Sequence, residues 1–235
     1  MLIQPFNTKG LPGTEAIVVS VDLEGFSKFF TQQDVHLYAP DYLNTIYHAL
    51  HCIFKAERPY WYPNVLKDWV YVDREPDFVK FTGDGAIYIW TAWEVNNPIS
   101  LDFKFTLMND LWFLKKRFDE VLKKAQKLVP LVDLPKRIRI GITRGTVYGL
   151  TRGASMSAVD YIGFCINLAV RLQNYCREIG FVASGRLGID DQLVEDANYK
   201  KIIAKNIKGF GQEIVYVDQL ELENLDKKLK NELFT

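Results

Sequence analysis

The sequence predicts one domain of the α/β class with helices on the faces of a central sheet. Short apolar runs rich in β-branched residues alternate with longer segments in which apolar residues recur at helical spacing. Glycine-containing turns separate neighbouring strand candidates, which indicates hairpins. With 235 residues, 48% of them hydrophobic and 14% aromatic, the chain is long enough to bury a sizeable core.

The first half of the chain supplies a strand, a helix and a strand–turn–strand unit. Residues 16–22, AIVVSVD, form a nearly continuous apolar run that is typical of a central strand, with Asp22 at its end. Residues 41–54 repeat apolar side chains at helical spacing and predict the first helix. The proline- and aromatic-rich segment 57–77 favours an irregular or hairpin-like excursion, and VKFTGDGAIYIW, residues 79–90, places a glycine turn between two strands.

The second half of the chain continues this alternation. Apolar spacing over residues 107–125 predicts a second long helix. RIRIGITRGTVYGL, residues 137–150, alternates and breaks at glycines, which predicts a hairpin. CINLAVRLQNYCREIG, residues 165–180, predicts a third helix that ends at its final glycine. A last strand pair around NIKGFGQEIVYVD and a charged tail, residues 221–235, complete the chain.

Composition and charge limit the function classes. The 29 basic and 29 acidic residues balance, so no overall positive field favours nucleic acid. The three cysteines show no metal-binding or disulfide spacing, which fits a reducing compartment. No apolar run approaches the roughly 20 residues of a membrane span, and the start lacks a signal-peptide pattern. These features predict a soluble, cytoplasmic, single domain over residues 1–235, with a core at about 15–220, that binds neither nucleic acid nor membrane.

Acidic side chains fall at the ends of two predicted strands. Asp22 ends the first strand and Asp84 lies at the tip of the Gly-Asp-Gly turn, so the carboxylates meet if their strands are neighbours. Two carboxylates suit Mg²⁺ or Mn²⁺, which complete their coordination with substrate phosphates and water. After Asp22 the backbone amides of Gly25, Phe26 and Ser27, at a predicted helix start, can donate to a polyphosphate. Together these features predict a metal–polyphosphate site.

A polar pair on the third helix adds to this site. Asn167 and Arg171 lie one turn apart and point the same way, and an amide and a guanidinium suit a sugar oxygen and a phosphoryl oxygen. Structural alternatives exist for each motif. Asp84 fits an ordinary hairpin turn, Lys80 an edge-strand lysine and Asp160 a turn aspartate, while Arg171 fits a solvated helix residue. Their joint presence favours the functional interpretation.

Four blocks of the sequence resemble the class III nucleotidyl cyclases in order and spacing: VSVDLEGFSKF, VKFTGDGAIYIW, RIRIGITRGTVYG and VDYIGFCINLAVRLQ. The resemblance covers roughly residues 15–220. It implies a ferredoxin-like α/β (α+β) catalytic domain with an antiparallel-rich central sheet and flanking helices. It also implies a head-to-tail homodimer with sites at the subunit interface and two divalent metal ions, Mn²⁺ or Mg²⁺, in each site.

The resemblance also implies roles for individual residues. Asp22 and Asp84 resemble the metal aspartates, and the Leu23 carbonyl is implied as an extra ligand. The residues implied to contact the nucleotide are the base-recognition pair, Lys80 and Asp160, the ribose-orienting Asn167 and the transition-state Arg171. Phe164 and Cys165 stand where many relatives have an acidic or polar residue, which implies a modified pocket.

The choice of nucleobase is not decided by charge. A lysine donor and an aspartate acceptor, Lys80 and Asp160, can read adenine, cytosine or uracil. Tyr47, on the buried stripe of the first helix, is expected to fill the space that a purine's second ring would need. The compact form, the aromatic excursion and GFCINLAVRLQ resemble the bacterial pyrimidine cyclases of Pycsar antiphage systems, which activate a separate effector. That resemblance implies UTP as substrate ahead of CTP.

Two alternatives to a pyrimidine cyclase remain open. The first is an adenylate cyclase that makes cyclic AMP, because the same donor and acceptor read adenine. The second is a catalytically silent cyclase-like subunit that binds nucleotide. Such subunits usually lose a metal aspartate, the asparagine or the arginine, and this sequence keeps all of these residue types.

Overall fold

Strands and helices alternate in the computed structural model, which describes residues 6–7, 12–55, 57–62, 72, 74–92, 98–130, 133–152 and 158–235. The strands within these ranges are β1 Phe6–Asn7, β2 Thr14–Glu24, β3 Phe78–Phe81, β4 Gly85–Thr91, β5 Arg137–Arg152, β6 Ala158–Ile162, β7 Phe181–Ser184, β8 Tyr199–Ile207 and β9 Gly211–Asp218. The α-helices are α1 Phe26–Phe30, α2 Val35–Phe54, α3 Leu101–Lys116, α4 Phe118–Leu128, α5 Phe164–Gln173, α6 Asp191–Asp196, α7 Gln219–Glu223 and α8 Lys227–Leu233. Among the residues described, no helix combines the length and the apolar character that a membrane crossing requires.

The central strand of the sheet is β2. The strand order is β3-β4-β2-β5-β7-β9-β8, and β1 and β6 pair with β5 outside this path. Paired strands run antiparallel apart from β5 and β7, which are parallel. Residues 16–21 of β2 are all buried because both faces of the strand are covered, as the apolar run predicts. The predicted α/β class, with an antiparallel-rich sheet and flanking helices, is therefore confirmed.

Helices cover the two faces of the sheet differently. Ile17 and Val19 of β2 belong to the large core cluster formed with α2, α3 and α4. Val18, which points the other way, packs in a separate cluster with Cys165 and Ala169 of α5. We call these two sides of the sheet the α2 face and the α5 face.

The helix α5 rests directly on the sheet at Gly141 of β5. A Cβ atom at this position would lie 2.1 Å from the carbonyl oxygen of Ala169 and 2.4 Å from the backbone nitrogen of Gln173. The absence of a side chain at Gly141 therefore allows the close approach. Because α5 is held in this way, the residues on its outer side have a fixed position relative to the sheet.

Three predicted elements differ from the observed ones. The predicted hairpin at 137–150 is instead part of one continuous strand, β5. Gly141 and Gly145 serve packing rather than a turn, since both face α5. The predicted third helix ends at Gln173, and a turn-rich connection leads from there to Gly180. The predicted second long helix is divided at Arg117 into α3 and α4.

The remaining predictions concern the ends of elements and the excursion. The first predicted helix is present as α2 but begins earlier, at Val35, with Pro40 inside it. Parts of the predicted excursion, residues 63–71 and 73, lie outside the described residues. Residues 221–235 include α8, and Phe234 near the C-terminus is buried in a core cluster with residues of β8 and β9.

Candidate active site

Two acidic side chains meet where β2 ends and β4 begins. Asp22 is the cross-strand partner of Gly85, and Asp84 directly precedes β4. The backbone carbonyl of Asp84 accepts a hydrogen bond from the Leu23 N–H at 3.1 Å, which ties the turn to the strand. Burial raises the pKa of Asp22, the Arg139 guanidinium opposes this, and the nearby Asp84 carboxylate adds to the rise. The structure thus brings the two predicted carboxylates together.

The carboxylate of Asp22 is already paired with Arg139 of β5. The Arg139 Nε donates to Asp22 Oδ2 at 3.0 Å, and an Nη atom contacts the same oxygen. The two side chains are only 15% and 12% exposed. Arg139 is not among the site residues predicted from the sequence, because a hairpin at 137–150 gives no reason to place Arg139 opposite Asp22. The prediction of a single strand over these residues, paired with β2, would have placed Arg139 beside Asp22.

The two carboxylates fit a hard divalent cation. Carboxylate oxygens are the ligands that Mg²⁺ and Mn²⁺ prefer, and a cation between Asp22 and Asp84 would relieve their mutual repulsion. Within the part of the chain that the structure describes, no group of three or more histidine, cysteine or acidic residues could hold a metal ion. A cation held by Asp22 and Asp84 therefore needs further oxygen ligands, as a bound polyphosphate would supply.

The loop after β2 presents free backbone amides beside these carboxylates. Gly25 adopts a left-handed conformation with φ of +91° as the N-cap of α1, without a side-chain cap. The amides of Phe26 and Ser27 lie in the first turn of α1, so they have no acceptor within the helix. The Phe26 side chain is buried and anchors the loop, whereas Ser27 is exposed. The predicted polyphosphate loop therefore has suitable local geometry.

Lys80 and Asp160 form an ion pair on the α5 face. Lys80 is the cross-strand partner of Ile87, whose side chain belongs to the α5-face cluster. The Lys80 ammonium contacts Asp160 Oδ2, and the other carboxylate oxygen accepts the Tyr161 N–H at 2.8 Å. The sequence predicts these two residues as a pair, and the structure brings them together within one protomer.

Asn167 and Arg171 lie on the outer side of α5, where both are exposed. Neither side chain forms a hydrogen bond or ion pair with another described residue, so both are available to a ligand. Both belong to a helix that is held against β5 at Gly141. The predicted side-by-side arrangement of an amide and a guanidinium is therefore present on a rigid support.

Tyr47 lies on the α2 face, opposite to Lys80 and Asp160 of the same protomer. Its ring meets Phe81 edge-on with centroids 5.0 Å apart, and its hydroxyl donates to the Gly85 carbonyl at 3.4 Å. Burial raises the pKa of Tyr47, and the charge of Asp84 adds to this rise. Tyr47 therefore adjoins the Asp84 turn, and its contact with a base stays a prediction.

Comparison with known proteins identifies the fold. No protein-family model matches the chain, and no curated protein matches its sequence. The adenylyl cyclase CyaB from P. aeruginosa matches with a TM-score of 0.60 at 18% identity, over 88% of this chain and 95% of that one. The guanylyl cyclase Cya2 matches with a TM-score of 0.54 at 15% identity, over 88% and 93% of the two chains.

A third solved structure contains a nucleotide. The guanylate cyclase domain of RhGC from Catenaria anguillulae in complex with GTP matches with a TM-score of 0.51 at 14% identity, over 87% of this chain and 95% of that one. At these identities the likeness establishes the fold, which is that of adenylyl and guanylyl cyclase catalytic domains.

Proposed function

We propose that this chain is a nucleotidyl cyclase, which converts a nucleoside triphosphate into a 3′,5′-cyclic monophosphate and pyrophosphate. The observation that carries the proposal is the meeting of Asp22 and Asp84 beside the free amides that follow Gly25. This arrangement suits a metal-bound polyphosphate. The shared fold with adenylyl and guanylyl cyclase domains supports the same reaction class.

The proposal gives each polar group a task. Asp22, Asp84 and the Leu23 carbonyl would hold two divalent ions, Mn²⁺ or Mg²⁺, which would lower the pKa of the ribose 3′-hydroxyl and neutralise the charge of the leaving pyrophosphate. The amides of Phe26 and Ser27 bind the polyphosphate. The nucleoside and the reacting phosphoryl group are contacted by the remaining predicted residues: Lys80 and Asp160 on the base, Asn167 on the ribose and Arg171 on the α-phosphoryl oxygen, whose charge it stabilises.

A complete site in this proposal is shared between two protomers of a homodimer. Asp22 and Asp84 of one protomer would face Lys80, Asp160, Asn167 and Arg171 of the other. In support, no hydrogen bond or ion pair among the described residues of one protomer joins either aspartate to any of these four residues. The exposed side chains of Asn167 and Arg171 are also free to reach a neighbouring molecule.

The proposed substrate is a pyrimidine nucleotide, UTP ahead of CTP. The support is the sequence resemblance to Pycsar cyclases, together with a lysine donor and an aspartate acceptor already side by side at Lys80 and Asp160. The product would act as a second messenger for a separate effector in antiphage defence. Synthesis of cyclic AMP is the second candidate, because the same donor and acceptor read adenine and CyaB, with the same fold, is an adenylyl cyclase.

The test is incubation of the purified protein with ATP, GTP, UTP or CTP and Mn²⁺, followed by mass analysis of the products. We expect cyclic UMP as the main product, and none from an Arg171→Ala variant. Turnover of ATP as fast as that of UTP and CTP would overturn the pyrimidine assignment. Absence of any cyclic product would leave a nucleotide-binding, catalytically silent subunit.

A further inference from the structure

An aromatic side chain shares the outer side of α5 with the two polar residues of the proposed site. Phe164 precedes Asn167 by three residues and Arg171 by seven, so all three project from the same side of the helix. The Phe164 side chain is 48% exposed although it is large and apolar. A ring in this position lies beside whatever Asn167 and Arg171 bind.

The Phe164 ring is nevertheless held in place by two other elements. Phe210, in the turn between β8 and β9, meets it edge-on with centroids 4.8 Å apart and planes at 73°. The Arg186 guanidinium, from the short 3₁₀ turn after β7, lies over the ring at 4.8 Å from its centroid. These contacts fix the ring from two directions and leave part of its surface open.

Arg186 is itself positioned by a buried carboxylate. Its Nε and one Nη donate to the two oxygens of Glu213 at 2.8 and 3.1 Å, a forked geometry that fixes the guanidinium plane. Glu213 also accepts the hydroxyl of the fully buried Ser184 at 2.9 Å, and the Ser184 oxygen accepts the Arg186 N–H at 3.1 Å. A network of this kind supports a side chain whose orientation matters.

From this arrangement we propose that Phe164 is a substrate-contacting residue whose ring packs against the nucleoside, and that Arg186 is the residue that positions this ring. The inference rests on the proposed function, from which it takes the base at Asp160 and the ribose at Asn167. Phe164 begins α5 only two residues after the end of β6, the strand that contains Asp160, and it precedes Asn167 by one helical turn, so a nucleoside held by both residues would pass close to the ring. A flat apolar surface restricts the position of sugar and base without reading a hydrogen-bond pattern.

The experiment measures nucleotide affinity without turnover. A 3′-deoxynucleoside triphosphate, which lacks the attacking hydroxyl, is titrated with Mn²⁺ into the full chain by calorimetry. We expect Phe164→Ala to raise the Kd about tenfold, in the range of aromatic–base contacts, and Arg186→Gln to raise it about threefold. Phe164→Tyr keeps the flat ring and should keep the affinity. In the double variant, loss of Arg186 should add nothing to the loss of Phe164.

A control separates this role from a structural one. Leu128→Ala removes an apolar side chain of similar exposure, 52%, from α4, which packs on the α2 face of the sheet, and should leave the Kd unchanged. An unchanged Kd in Phe164→Ala, with the parent still binding, overturns the inference and leaves the cyclase proposal standing. The inference is also overturned if Phe164→Ala changes only the melting temperature or the fraction of dimer measured by sedimentation. A parent protein that binds no nucleotide contradicts both proposals.

Discussion

Asp22 and Asp84 lie at the same edge of the sheet, yet the fold depends on them to different degrees. Asp22 is mostly buried and neutralises the charge of Arg139 in an ion pair. Asp84 lies in a turn and forms no ion pair with a described basic residue. Removal of Asp22 would leave a poorly hydrated guanidinium without its partner. The two substitutions therefore test different properties of the protein.

Replacement of Asp84 by alanine should abolish cyclic nucleotide formation while the melting temperature stays close to that of the parent. Asp22→Ala should also abolish turnover, but it should lower the free energy of unfolding by roughly 3 kcal/mol because Arg139 loses its carboxylate. Product analysis and thermal denaturation check the two properties separately. Near-normal product formation by the folded Asp84→Ala variant would remove the metal role of this residue.

The spacing of residues in the sequence was enough to predict part of the candidate site, whereas the rest depends on how the strands and helices pack. The meeting of Asp22 with Asp84 follows from two acidic residues at the ends of adjacent strands, and structure supports this placement. The position of Arg139 opposite Asp22 follows from the register of β5 against β2. The prediction of a hairpin at 137–150 does not give this register. The side of the sheet on which Tyr47 lies depends on how α2 packs, and an apolar stripe does not specify that.

Among the helices, α3 contains a buried acidic residue that makes stability depend on pH. Asp110 is 7% exposed, its Oδ2 has no hydrogen-bond partner among the described residues, and burial raises its pKa to about 8. From about pH 4 to about pH 8 the unfolded chain has lost this proton while the folded chain keeps it. The contribution of Asp110 to stability therefore falls as pH rises through this window and levels off above it.

Replacement of Asp110 by asparagine keeps the shape of the side chain and removes its ionisation. We expect the variant to lose less stability than the parent between pH 5 and pH 8, with the largest difference at the upper end, in urea denaturation. Parallel curves for the two proteins would show that Asp110 is already ionised in the folded chain.

Packing of α5 on β5 provides a second prediction for an element. Gly141→Ala would place a methyl group 2.1 Å from the Ala169 carbonyl oxygen, so α5 must move and carry Asn167 and Arg171 with it. Overpacking of this kind costs about 1–3 kcal/mol, and the displaced helix should also lose activity. Gly145→Ala on the same strand meets the Cβ of Cys165 at 2.9 Å and should be milder in both assays. Equal losses would contradict this account of the contact.

The spacing of apolar residues predicted the strands and helices more reliably than the positions of glycines did. The apolar run at 16–22 corresponds to β2, because a strand that is buried on both faces has a continuous apolar sequence. The apolar residues at helical spacing in 41–54 correspond to α2, because a helix that is buried on one side repeats apolar residues at its own period. Gly141 and Gly145 indicated a turn in the sequence. Glycine is needed at these positions because α5, which comes later in the chain, packs directly against them. A residue chosen for a distant contact cannot be distinguished from a local turn by its neighbours in sequence.

For the whole molecule, the proposed shared site predicts complementation between inactive variants. Asp84→Ala and Arg171→Ala should each be inactive alone, and mixing them under conditions of subunit exchange should restore one functional site in each mixed dimer. Activity of the mixture is measured as cyclic product per total protein. Exchange demonstrated by labelled subunits without returning activity would show that one protomer contains the whole site.

Lys80 and Asp160, the predicted base-recognition groups, already contact each other before any base arrives. An ammonium has three N–H donors and a carboxylate has several acceptor lone pairs, so a base at the proposed site would add its hydrogen bonds without breaking the ion pair. The ion pair would thus hold donor and acceptor in position in advance, and binding of a base would lose little affinity to the ordering of these two side chains.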